Sequence, residues 1–386
     1  GYCYNDTGLI AIGDQVGASQ RSGNYNIYFG KCVASTVACN NTSAFNFGAG
    51  FGVLKGVTTG SCNVAIGYEA LGGAVTGGSN VAFGRNAGGS GMSGNDNTSI
   101  GRCASNSGGS GSDNIVMGCK AASGSSEIVN EGSWNIIFGS EAGYYLKDGD
   151  NNVILGCKAG YNVDTGPNNV LIGKEAGKAL ITGCNNVALG VNALNGASGD
   201  GSFNKNIGIG WDAGKCLTSG DNNVFIGADA GMRVSSAWGN IALGSLSGAC
   251  NCTGRYNVTL GQYAGYGITS GCDNIMIGCA SGNCHNGYNN IMMGKCVAGN
   301  TAAGISTGSW NIVLGNCALH KIYCGNDNIA LGRNAGCDIT TGERNVLIGA
   351  GSSLPINDGS NQLVIGINTV CTVSVAFSHL RLPTKA

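Results

Sequence analysis

Cysteine, histidine and the carboxylates are the residues from which chemistry would have to come, and their spacing decides which chemistry is available. Cys250-Asn-Cys252 and Cys279…Cys284-His285 have the residue types of a zinc site. Neither has two C-x₂₋₄-C pairs, the arrangement that builds a tetrahedral centre. The three histidines, His285, His320 and His379, stand in no serine–histidine–acid pattern. Glycoside hydrolysis needs two carboxylates facing one bond. Here acids are sparse, and Glu141, Lys158 and Glu175 recur so evenly that they read as an alternating surface ladder, worth about 0–1 kcal/mol per pair. The glycine-rich "GIGWDAG" at 208–214 is followed by no helix, so it carries no phosphate-loop signal. The expectation is a protein without catalytic, cofactor or metal residues, and not an enzyme.

What would position any side chain is a repeat. "NNVILGCKAGYNVDTGPNNVLIGKEAG", residues 151–177, states its motif twice, with Asn152-Val-Ile-Leu-Gly156 returning as Asn169-Val-Leu-Ile-Gly173. Taking the closing glycine as anchor gives 21 copies, beginning at Gly13, Gly30, Gly48 and Gly67 and ending at Gly366, and fourteen of the twenty intervals are 17 residues. The habit covers residues 1–366 as one array, with 367–386 left as a cap or tail.

Within each copy the positions differ in chemistry. The first and third residues before the anchor are large and apolar, which predicts a strand with one face in a core. The fourth before it is Asn in 18 of 21 copies, including Asn63, Asn80, Asn152, Asn169, Asn186 and Asn223. These predict a stacked amide ladder. The seventh before it is usually Gly, and the seventh after it is often Leu, Ile or Val, as at Leu146, Leu180 and Ile339. A helix would show apolar spacing near 3.6 and would not tolerate so much glycine. The reading is all-β: a parallel β-solenoid, or β-roll, of about 21 coils. At about 4.8 Å per coil it would make a rod on the order of 100 Å long.

The second residue before the anchor is apolar in 17 of 21 copies, among them Ile137, Ile154, Leu171, Phe225, Met276, Met292 and Leu347. Strand alternation then places this row outward, where an apolar stripe needs a cover. Identical chains around a shared axis are the simplest one.

Cys279, Cys296 and Cys317 share one corner of consecutive coils, as do Cys103 and Cys119, and Cys296–Cys317 is the favoured disulfide candidate. Cys216, Cys250 and Cys284 share another position but lie two coils apart. Long coils between Gly118 and Gly139, Gly190 and Gly210, and Gly294 and Gly315 mark loops. Trp134, Phe203 and Trp310 follow them as candidate glycan contacts. Sequons stand at Asn5, Asn40, Asn41, Asn97, Asn251 and Asn257, of which Asn97 and Asn257 belong to the ladder.

"NVAIG" at 63–67, "NVAFG" at 80–84, "NVALG" at 186–190 and "NIALG" at 240–244 and 328–332 resemble the head repeats of YadA-like trimeric autotransporter adhesins. They also resemble the repeat shafts of phage and other viral tail fibres. The resemblance spans nearly the whole chain and implies a homotrimer of parallel β-rolls with the motif strand facing the threefold axis. The 17-residue coil is longer than the usual autotransporter head repeat, and no heptad stalk or barrel anchor is present, which favours a viral fibre. Gly1 in place of an initiator Met agrees with a processed chain, and an end at Ala386 would suit a C-terminal chaperone that cleaves itself away.

Composition excludes several classes. Glycine is 71 of 386 residues but proline only three, so collagen is ruled out. Residues are 42% hydrophobic and 11% charged, unlike a disordered chain. A net charge of −1 offers neither a nucleic-acid footprint nor attraction to an anionic membrane. No apolar run is long enough to insert in a bilayer. Nineteen cysteines lean towards an extracellular or virion-surface setting, and an odd number leaves one unpaired. The function expected is a rigid trimeric structural fibre or adhesin shaft for host or surface attachment, meeting a cell-surface glycan or protein receptor. Two alternatives are an extracellular filament assembled end to end and a monomeric ice-binding solenoid. The latter would need a Thr array more regular than Thr59, Thr76, Thr165 and Thr182 provide.

Overall fold

A computed structural model describes residues 7–18, 23–35, 41–89, 91–124, 130–196, 201–299, 306–355 and 358–367, together with the backbone of Ser374–Ala376. Every regular element among these residues is a strand, and the chain is a parallel β-solenoid of about 19–21 coils. It divides into two compact units, Gly1–Asn204 and Lys205–Ala386. In the first, parallel pairing runs from Ile10–Asp14 against Ile27–Lys31 to Val170–Ile172 against Val187–Leu189. In the second it runs from Ile207–Ile209 against Val224–Ile226 to Val346–Ile348 against Gln362–Ile365. There Ser374–Ala376 returns antiparallel on Gln362–Ile365. The rest of the expected 367–386 tail lies outside the described residues.

The coil ending at Gly173 shows how the sequence makes the shape. Its strand is only three residues, Val170–Ile172, in register with Val153–Leu155 of the coil before. Such a strand cannot hold itself, so the adjoining Asn carries the load. Asn169 Oδ1 accepts the backbone N–H of Asn186 at 2.9 Å, while its Nδ2 donates to the carbonyl of Gly183 at 2.9 Å. One buried side chain thus satisfies a donor and an acceptor of the next coil. Asn152 repeats this with Asn169 and Gly166, and Asn223 with Asn240 and Ala237. Asn63 and Asn80 are linked the same way.

The anchor glycine is required twice over. Gly173 has φ +134°, a region closed to side chains, and a Cβ there would collide with the carbonyl of Gly190. Two further corners per coil are left-handed without glycine: Lys158 and Glu175 after the anchor, and Asn168 and Asn185 before the Asn ladder, all with φ between 56° and 60°. Asn tolerates this conformation best, which explains its frequency at the second corner.

The core corrects the expected strand parity. Ile137, Ile154, Leu171, Met276, Met292 and Leu347 are 0% exposed and Phe225 1%, because they point into their own coil rather than towards a neighbouring chain. They pack with the inward Ala row (Ala159, Ala176) and the Leu/Ile/Val row at Leu146, Val163 and Leu180. Each larger side chain buried in this way contributes about 1.5–3 kcal/mol. The physical reason is the ladder itself. Side chains alternate along a strand, so a buried Asn four residues before the anchor puts the residue two before it on the same inward face.

A second correction concerns register. Gly30 pairs with Gly50, and Gly50 with Gly67, so the anchor is Gly50 rather than Gly48. Asn46 is therefore a ladder residue, donating its N–H to Asn26 Oδ1 at 2.9 Å.

Replacing Asn169 with Ala strands the N–H of Asn186 and the carbonyl of Gly183 inside the core, at about 1–3 kcal/mol for each group. Urea unfolding of Asn169→Ala is expected to show a loss of roughly 2–6 kcal/mol. A loss below about 1 kcal/mol would mean that the ladder is not what ties the coils.

Candidate functional site

With the middle strand residue turned inward, the first and third residues before each anchor turn out. They form two rows on one sheet face: Val64, Val81, Ile115 and Ile136 beside Phe83, Met117 and Phe138 in the first unit. In the second unit Ile241, Ile275 and Ile312 lie beside Leu260, Met293 and Leu314. Of the 42 residues in these rows of 21 strands, Thr98 is the one polar side chain and none is charged. Coil stacking covers their flanks but not their ends, and many keep more than a third of their surface in water; Phe83 keeps 54%. The outward apolar face expected from the sequence is therefore present, built from different residues. Its size is unlike the surface of a soluble monomer, whose largest apolar patch is about 300–600 Å².

The other sequence candidates sit elsewhere. Trp134 and Trp310 occupy the left-handed corner before the Asn ladder, with φ 56° and 62°, and are about 60% exposed. Phe203 is fully buried and offers no contact surface. It fills the inward position where most coils have Gly, and its carbonyl accepts Asn186 Nδ2 at 2.9 Å. Lys158 pairs with Glu141 in the adjacent coil at 3.7 Å, whereas Glu175 pairs at 3.1 Å with Lys178 of its own coil. That Lys178 contact holds the Glu175 carboxyl below the usual range. Asn97 and Asn257 are buried, and so are the sequons Asn41 and Asn251; Asn5 and Asn40 lie outside the described residues.

Cys296 and Cys317 are free thiols, which corrects the expected disulfide. Equivalent residues of stacked coils carry parallel Cα–Cβ bonds, so their Cβ atoms stay near the coil spacing of about 4.8 Å. A disulfide brings them to about 3.5–4.5 Å. Burial pushes the thiols of Cys284, Cys296 and Cys337 up, away from the reactive thiolate. Among the described residues, no group of three or more His, Cys, Asp or Glu is placed to hold a metal ion, and no helix is long and apolar enough to cross a membrane.

His285 is the unusual polar residue. It stands in the inward row otherwise filled by residues such as Leu146 and Ile268, and is completely buried. Its Nε2 lies 2.7 Å from the carbonyl of Gly308, leaving Nδ1 without a partner, and Gly287 leaves room for the ring. Among the described residues its ring contacts are the Gly308 carbonyl and Asn290 Nδ2, the latter 3.0 Å from Nε2, so its hydrogen bonds tie coils together. Sequence reasoning set it aside because it shares no repeat position with the other histidines; comparison with the apolar row would have placed it inside.

No protein-family model and no curated protein matches this chain.

Burial drives the His285 pKa down to about 4. The unfolded chain, with a pKa near 6.5, therefore binds more protons than the folded one between those values, and stability falls as pH drops through that window, by up to about 3 kcal/mol. His285→Leu suits the row, and its unfolding midpoint is expected to lose less than wild type does between pH 7 and pH 4.5. Equal losses in the two proteins would remove His285 from the acid response.

Proposed function

We propose that this chain is a structural fibre protein, three copies of which bring their outward strand faces together around a common axis to form a stiff shaft used in attachment. The observation that carries the reading is the pair of uncharged apolar rows running through both units. Desolvating side chains of this kind is the largest favourable term available to association. An uncharged face also removes the penalty of burying unpaired charge. The number three rests on the resemblance of the NVAIG-type motifs to YadA-like heads and tail-fibre shafts, as does an extracellular or virion-surface location. With the parity corrected, the axis residues are of the Ile136, Phe138, Val153 and Leu155 kind. The exposed Trp134 and Trp310 remain candidates for contact with a surface glycan, and the chain's role is mechanical rather than catalytic. An end-to-end filament is less favoured, since Ser374–Ala376 already occupies an edge of Gln362–Ile365.

Light scattering of the native protein tests the reading: the expected mass is three times 38.6 kDa. A charge on the outward face, Phe138→Glu with Leu155→Glu, is expected to reduce the mass to one chain while the far-ultraviolet dichroism stays that of the folded coil. The inward change Ile154→Glu is expected to unfold it instead. A wild-type mass of one chain would sink the shared axis.

A further inference from the structure

The fifth residue after the anchor carries a side chain in most coils: Tyr144 and Tyr161 stack there with ring centroids 5.2 Å apart, and Lys178, Lys215 and Met232 follow in later coils. Lys55 holds this position after Gly50. The next two coils have Gly72 and Gly89, and the one after has Asn106. Neither glycine adopts a left-handed backbone, so neither is required by the turn. Gly72 leaves space, and at Gly89 a Cβ would collide with Asn106 Oδ1, so that glycine also makes room for the next coil's amide. The two missing side chains open a surface cavity of about 240 Å³ lined by Lys55, Glu69, Gly72, Gly73, Asn86 and Gly89.

The walls are fixed. Glu69 and Asn86 are equivalent residues of stacked coils, with φ 52° and 55°, and their N–H groups donate to the carbonyls of Phe51 and Tyr68 at 2.8 Å. On the neighbouring strands the rings of Phe51 and Tyr68 stack at 5.1 Å, and the Arg85 guanidinium lies 5.8 Å from the Tyr68 ring; none of the three lines the cavity.

The lining selects its ligand. A phosphate would meet the Glu69 carboxylate, a metal cation would meet the Lys55 ammonium, and an apolar molecule would find no apolar side chain among the six lining residues. The volume is below the range of about 300–1,000 Å³ typical of drug-sized pockets. What remains is a small neutral molecule presenting donors and acceptors together. Lys55 donates and Glu69 accepts, while Asn86 closes the wall with its Oδ1 turned away from solvent. We propose that this cavity binds a neutral sugar, one pyranose unit of a glycan. The proposal supplies a ligand class for the attachment role and rests on that role only for where the glycan is met. No outward strand residue takes part, so the site stands whether or not chains associate.

Saturation-transfer NMR on the full chain tests it, with D-glucose, D-galactose, D-mannose and their N-acetylated 2-amino derivatives as probes, and inorganic phosphate, calcium and free glycine as controls. At least one neutral sugar is expected to bind. Gly72→Tyr with Gly89→Tyr, which copies the Tyr144–Tyr161 pair into the gap, is expected to abolish that binding. Glu69→Gln is expected to weaken it ten-fold or more, with a wild-type melting curve. No binding by any sugar, binding that survives the double tyrosine variant, or preference for phosphate, calcium or glycine would overturn the proposal. Native mass measured on the same samples keeps the two readings apart: sugar binding by a single chain sinks the trimer and leaves the site in place.

Discussion

A coil with a three-residue strand has almost no structure of its own, and every backbone polar group that it buries must be met by the coil above or below. The Asn four residues before the anchor answers that need. In most repeats its amide both gives to and takes from the next coil's backbone, as Asn169 does with Gly183 and Asn186. To do so it must point inward, and an inward Asn sets the parity of the strand that follows. Which apolar row fills the core, which faces out, and where the anchor glycine turns the chain all descend from that one orientation.

Much of this was legible in the amino-acid sequence. The 17-residue period, the strands, the amide ladder and the glycine anchor are properties of spacing, and spacing survives without coordinates. Parity was harder, because three successive apolar residues such as Val153-Ile154-Leu155 do not alternate. The clue lay one residue further out: Asn152 and Ile154 are two apart and must share a face. Phe47-Gly48 imitates the motif's end and makes Gly48 look like an anchor, whereas Asn46 marks the true frame with Gly50. Phe203 looked like a surface aromatic after a long coil, but the inward position usually given to glycine receives it.

The functional surfaces differ in how visible they are. An uncharged double row repeated over every strand is loud in the sequence once the parity is known. The cavity beside Glu69 and Asn86 is silent there, since it is made of two glycines in a chain that has 71. Only stacking shows that Gly72 and Gly89 fall in a row where neighbours such as Tyr144 and Lys178 carry bulk. The left-handed corners are only partly announced by residue type: Asn168 and Asn185 mark the second one, whereas Lys158, Glu175 and Trp134 adopt the same φ without Asn or Gly.

The register resides wholly in the short segment from the ladder Asn to its anchor, and that has a consequence for descent. Gly278 to Gly294 spans one residue fewer than the common interval, and Gly294 to Gly315 four more, yet Ile275–Ile277, Ile291–Met293 and Ile312–Leu314 pair without a slip. A gene coding for such a chain can gain or lose a coil by unequal recombination, or lengthen one between anchors, and each new coil meets the same neighbour as the old. Length becomes a heritable variable that drifts independently of fold, so close lineages would be told apart by how many coils they count.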